Sequence, residues 1–266
     1  MHNISVIEIA DIRVALEIND PAFAALVRER YAEFIIAHER PHTLVRVTVN
    51  AGSRLKVWTS ETYLDGNHLI YRADYDAAWV NLDRGYGLLE LTPESNVENF
   101  LRALYAYLGA RSGALLLHAA GIVKDRAGYV FFGASARDKL TMAQWSREQG
   151  CTMLSDDLVM LKKTDAAVRV FGAPFREGAQ TNAPHLNHSA RVAGEYALAP
   201  SARHRLAALA PADAIARLAT AAPFTQNDPT HARCVTELCA DLVARIPVRE
   251  LHLRDAGVWK VMNEVV

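Results

Sequence analysis

Apolar positions along this chain alternate in its first part and gather into longer runs in its second. Ile4-Ser5-Val6-Ile7-Glu8-Ile9 alternates and predicts a strand. From Pro21 to Ile36, the residues Phe23, Leu26, Val27, Tyr31, Phe34 and Ile35 recur at helical spacing. Strands are predicted over 44–49, 55–58, 69–71, 78–82 and 86–91, separated by Asn, Gly and Asp turns, as an antiparallel meander. Ser95-Asn96-Val97-Glu98 reads as a capping box, in which a hydroxyl meets the first-turn N–H groups and the glutamate reaches back. The helix it opens places Val97, Phe100, Leu101, Leu104 and Leu108 on one face, and Gly113 ends it.

Beyond Gly113 the runs lengthen. Apolar strands are predicted over 115–123, 128–132, 158–161 and 168–171, with a helix opening at 140–145. The stretch 178–194, with Asn182, Pro184, Asn187 and Ser189, reads as a mobile loop near any site built here. Helices are predicted over 211–221 and 231–246, the second packing through Cys234, Leu238, Leu242 and Val243. A terminal hairpin joins 248–253 to 258–262 around Asp255-Ala256-Gly257. The expected organisation is a smaller α+β region over 1–111 followed by an α/β domain over 112–266.

Composition narrows the class without choosing a function. Hydrophobic residues make up 51% and charged residues 22% of 266, which excludes a disordered chain. A net charge of −1 offers no long-range attraction to nucleic acid or an anionic membrane. No apolar run reaches the ~18 residues of a membrane span. Met1-His2-Asn3-Ile4-Ser5 lacks the basic and apolar regions of a signal peptide, and Cys151, Cys234 and Cys239 suit reduced thiols. A cytoplasmic location is therefore expected.

The candidate chemistry begins at Gly133-Ala134-Ser135-Ala136-Arg137-Asp138-Lys139-Leu140-Thr141. A phosphate-binding loop reads G-x-x-x-x-G-K-[ST] between a strand and a helix. Gly133 and Lys139 keep that spacing, but Asp138 replaces the second glycine and Leu140 the Mg²⁺-binding hydroxyl. Backbone N–H groups and the lysine charge do most of the phosphate cradling, and Arg137 adds a second cation. Asp138 brings a Cβ and a carboxylate against phosphate, while Leu140 has no oxygen for Mg²⁺. Thr141 carries a hydroxyl one residue later, about 100° further round a helix.

Downstream, Ser155-Asp156-Asp157 leads an apolar strand, an arrangement suited to holding Mg²⁺ or accepting a hydroxyl proton. Upstream, His118 interrupts an apolar run. Taken singly, His118 reads as a core histidine and the Asp pair as a turn. His185 and His188 stand three apart, but no third metal ligand is in view, so loop polarity is the favoured reading there.

In order and spacing these segments resemble the catalytic domain of HPr kinase/phosphorylase and its wider group of kinase-like proteins. His118 precedes Gly133 by fifteen residues, and Asp156 follows Lys139 by seventeen. Gly172-Ala173-Pro174-Phe175-Arg176 looks like the Gly-x-Pro-Phe-Arg stretch of that group, and Ala221-Ala222-Pro223-Phe224 and Ile246-Pro247-Val248-Arg249-Glu250-Leu251 also fit. The likeness covers roughly 112–262. It implies a P-loop core of the HPr kinase-like, phosphoenolpyruvate carboxykinase-like type. It also implies ATP phosphates held by Gly133, Ser135, Arg137, Lys139 and Thr141. Asp156 would act as base, Asp157 would sit near the metal, and His118 would lie near the reacting phosphate. Apart from the likeness, Arg176 and Glu177 read either as contacts to phosphate or substrate or as a solvated pair.

Two functions follow from that likeness. Asp138 and Leu140 favour a pseudoenzyme or accessory protein that binds a peptide or protein partner. Lys139, Asp156 and Asp157 favour an ATP- and Mg²⁺-dependent kinase acting on a Ser/Thr hydroxyl of a peptide or protein. HPr itself is not the expected target, no nucleic acid or membrane is expected as a partner, and assembly with like copies is compatible with either reading.

Overall fold

The computed structural model describes residues 3–37, 40–50, 57–133, 136–176, 186–201, 203–226 and 228–253. The chain is mixed α/β and divides into two compact units, Met1–Ser112 with Phe224–Ala232, and Gly113–Pro223 with Arg233–Val266.

The first unit starts with β1 (Asn3–Ile9) and β2 (Ile12–Ile18), a hairpin that sequence spacing does not announce. Its turn residues, Ala10 and Asp11, have φ of 52° and 63°. Two left-handed residues match the twist of the flanking strands, yet neither is the usual Gly or Asn. Asp20 then caps α1 (Pro21–Arg30) by accepting the Phe23 N–H at 2.7 Å, with Pro21 at the first helical position. The helix stops short of the predicted Ile36. A 3-10 turn at Ala32–Phe34 buries Phe34, β3 (Ile35–Ile36) pairs with β1, and Leu26 faces solvent at 61% exposure.

Five further strands follow: β4 (Thr43–Val49), β5 (Val57–Asp65), β6 (His68–Asp74), β7 (Asp76–Asn81) and β8 (Tyr86–Leu91). The sheet order is β3-β1-β2-β4-β8-β7-β6-β5. β5 to β8 form an antiparallel meander, but β4 lies parallel to both β2 and β8, so the meander does not extend through the sheet.

α2 (Glu98–Arg111) packs on β2 and β6. Val97, Phe100, Leu101 and Leu104 are buried as the spacing predicts, whereas Leu108 is only half-buried. The capping box does not form. Ser95 Oγ donates to Asp76 at 2.5 Å, Asn96 accepts the Glu98 N–H, and the Glu98 carboxylate pairs with Arg30 and Arg102. Gly113 ends this stretch at φ 74°, a conformation glycine adopts without a Cβ penalty. Asp228 accepts from Leu64 N, Thr230 N, His231 N and the Tyr107 hydroxyl at 2.8–3.1 Å. Burial alone would push its pKa up, but those four donors hold it below the ordinary carboxylate value.

The second unit carries β9 (Ala114–Lys124), β10 (Ala127–Phe132), α3 (Ala136–Glu148), β11 (Thr152–Ser155), β12 (Leu158–Lys163) and β13 (Val168–Gly172). Then come β14 (Ser189–Pro200), β15 (Arg205–Ala208), α4 (Pro211–Ala221), α5 (Pro229–Arg245), which belongs to this unit from Arg233 on, and β16 (Val248–Leu253). The strands are ordered β10-β9-β12-β13-β14-β16-β15, with β11 beside β9. β10 also pairs with β14, so β10, β9, β12, β13 and β14 close a circuit. Most pairings are antiparallel; β14 runs parallel to β10 and β16.

β14 corrects the predicted loop. Residues 178–185 of that segment, His185 included, lie outside the described residues, but Ser189–Pro200 is a twelve-residue strand flanked on both edges. The α5 face is also rotated from the predicted one. Val235, Cys239, Leu242 and Val243 are buried, while Cys234 and Leu238 are half-buried. β16 pairs with β14 and β15, and the partner strand predicted at 258–262 lies outside the described residues. Among the described residues no helix is long and apolar enough to cross a membrane.

Candidate functional site

The Asp156-Asp157 pair links β11 to β12, and backbone bonds fix its position. Asp157 O accepts the Ala119 N–H at 3.0 Å, and Ser155 Oγ accepts the Asp157 N–H at 3.3 Å. Leu158 then lies opposite His118 in the β12–β9 ladder. Cross-strand register thus brings the histidine to the aspartates: His118 Nδ1 lies 3.5 Å from Asp157 Oδ1. Both carboxylates are buried, while the His118 side chain remains 39% exposed and so reachable from solvent.

Gly133 sits at the same end of the strands. It follows Phe132, which pairs with Ala119 on β9 and Ala197 on β14. Asp157 meets Ala119 from the other edge of β9, two strand spacings or roughly 10 Å from the end of β10. A Cβ on Gly133 would lie 3.2 Å from the Leu198 carbonyl oxygen, so the chain leaves β10 in close contact with β14. α3 begins at Ala136, earlier than the predicted opening, and puts Lys139 in its first turn. Met142 and Ala143 seat the helix in a core with Phe131, Tyr196 and Leu198. Lys139 is buried and Thr141 half-buried. Ser135 lies outside the described residues, as does the side chain of Arg137.

One residue was not legible from the sequence pattern. Arg147, in the last turn of α3, donates from Nη2 to Asp156 Oδ2 at 3.2 Å. Gly150 at φ 73° then turns the chain back toward β11, which carries Asp156 within reach. A cation in a final helical turn is a common feature, so Arg147 carries no signal by itself. Its significance comes from tertiary return.

The Gly172–Arg176 stretch is held by backbone contact. Gly172 N donates to His188 O at 3.0 Å, and Leu186 N donates to Leu154 O at 3.4 Å. Phe175 is buried and Arg176 half-buried; Glu177 lies outside the described residues.

The donor set fits Mg²⁺·ATP poorly. Asp156 Oδ2 is engaged by Arg147, His118 lies beside Asp157 Oδ1, and Leu140 contributes no oxygen. Among the described residues, no three His, Cys, Asp or Glu side chains converge on a metal position.

No family model matches the chain, and no curated protein matches it in sequence. Among solved structures it is similar to the HPr(Ser) kinase/phosphatase from Coxiella burnetii at 10% identity, with a TM-score of 0.33. That likeness covers 56% of this chain and 97% of the other.

Proposed function

We propose that the second unit is a kinase-like scaffold whose nucleotide site is degraded and which acts by binding a peptide or protein partner. The ion pair between Arg147 and Asp156 carries this reading. Asp156 is the residue that would have to accept a hydroxyl proton, and the Arg147 guanidinium occupies its Oδ2, so that oxygen is taken from an incoming hydroxyl. Asp138 and Leu140 act in the same direction by adding an anion and removing a metal ligand. Phosphoryl transfer rests on positioning and charge neutralisation, so these changes weaken it at its source. The partner envisaged is neither nucleic acid nor membrane, and the setting is the cytoplasm.

The second reading, an ATP-dependent kinase for a Ser/Thr hydroxyl, draws on His118 beside Asp157 and on the retained Lys139. Incubation with labelled ATP and Ser/Thr peptides separates the two. The expected result is no transfer above background from the wild type or from Asp156→Asn. Robust transfer abolished by Asp156→Asn would establish the kinase reading instead.

A further inference from the structure

The far end of the second unit gathers cations for which the candidate site has no use. β9 and β10 join through Asp125 and Arg126, at φ 51° and 67°. A two-residue turn with both residues left-handed favours Asn-Gly, and an arginine at its second position is strained. Next to this turn, Arg169 on β13 lies directly opposite Arg191 on β14. Like charges facing each other across an antiparallel ladder repel and destabilise the pairing. Arg191 is also in register with Ala127, which follows the strained turn. Two unfavourable local choices therefore converge on one place.

That place is concave. Lys124, Arg126, Arg169, Arg191 and His188 line a cavity of about 510 Å³, closed on one side by the Gln149-Gly150 turn. Asp125 is the one acidic residue among its described lining residues. Arg169 is held in place by donating from Nη2 to Ser189 Oγ at 2.8 Å and to Ser189 O at 3.3 Å. A neighbouring cavity of about 710 Å³ shares Arg126 and Arg191 and adds Arg245. Along β9, Lys124 stands six residues from His118, roughly 20 Å at strand rise, so this is not the candidate site already described.

We propose that this cavity is a second binding site, for a phosphate-bearing small molecule held by Arg126, Arg169 and Arg191. Guanidinium groups match phosphate oxygens through paired N–H donors, and a compact polyanion offsets the Arg169–Arg191 repulsion. A cavity of this size suits a small ligand rather than an extended chain.

Pyrophosphate is the probe, titrated calorimetrically into the full chain at low salt, with a hexaglutamate peptide as comparison. Saturable binding that weakens with added salt is expected for pyrophosphate, and much weaker binding for the peptide. Arg126→Gly and Arg191→Gln should each weaken pyrophosphate at least ~10-fold. Both should also raise the melting temperature without ligand, because glycine relaxes the turn and glutamine removes the repulsion. A purely structural role would lower the melting temperature instead. The proposal fails if wild type does not bind pyrophosphate, if neither variant weakens it, or if hexaglutamate binds more tightly.

Discussion

Replacing Glu195 with Gln is expected to stabilise the protein above about pH 5, by an amount that grows with pH. Glu195 lies on β14 between Val130 and Val248 in cross-strand register, and among the described residues neither carboxylate oxygen has a hydrogen-bond partner. Burial pushes its pKa from 4.5 up to about 8. Below pH 4.5 folded and unfolded chains both carry the proton, and the group costs nothing extra. Between 4.5 and about 8 the unfolded chain ionises first, so stability falls as pH rises. Above about 8 the loss is complete, on the order of 4–5 kcal/mol at ~1.4 kcal/mol per pH unit. Glu195→Gln removes this dependence, and its melting temperature at pH 8 should exceed that of wild type by roughly 10 °C. The two proteins should converge near pH 4.5. Parallel pH–stability curves would show that Glu195 does not titrate in the core. The same burial, with the Glu195 charge nearby, pushes the Cys239 thiol up to about 12, so Cys239 should resist alkylation in the folded protein.

Gly172→Ala is expected to be the most damaging small substitution near the candidate site. A Cβ at this position would lie 2.1 Å from the Leu186 carbonyl oxygen and 3.0 Å from that of Leu154. Both neighbours are backbone, so no side chain can swing away to relieve the clash. Displacing Leu186 also costs its N–H bond to Leu154 O, immediately ahead of Ser155-Asp156-Asp157. A loss of about 3 kcal/mol or more is expected, read as a lower denaturant midpoint at unchanged slope. Unaltered stability would mean that segment 186–188 does not hold this contact in solution.

The same position shows how unevenly the sequence discloses the structure. Gly172 belongs to a recognisable stretch, but what requires a glycine there is a carbonyl fourteen residues later, and no local pattern announces it. His118 and Asp157 could be singled out by residue type and spacing; the 3.5 Å between them depends on the β9–β12 register. Arg147 lay out of view because its partner is reached through a turn and a strand. β2 and β14 were missed for a different reason. β2 alternates except at Ala15, but its Ala10-Asp11 turn carries no Gly or Asn signal; β14 alternates in burial over 190–194, but Ala, Arg and Gly there do not mark a strand. Glu195 is the extreme case, an acid inside such a strand, where sequence pattern argues against burial.

The reading of a degraded nucleotide site is tested most directly by titrating the wild-type chain with ATP, with and without Mg²⁺, beside the double variant Asp138→Gly/Leu140→Ser. Weak binding with little Mg²⁺ dependence is expected for wild type. The double variant, which restores the motif's glycine and hydroxyl, should bind Mg²⁺·ATP at least ~10-fold more tightly. Tight, Mg²⁺-dependent binding by the wild-type chain would contradict the account and shift the metal to Thr141 or the Asp156-Asp157 pair.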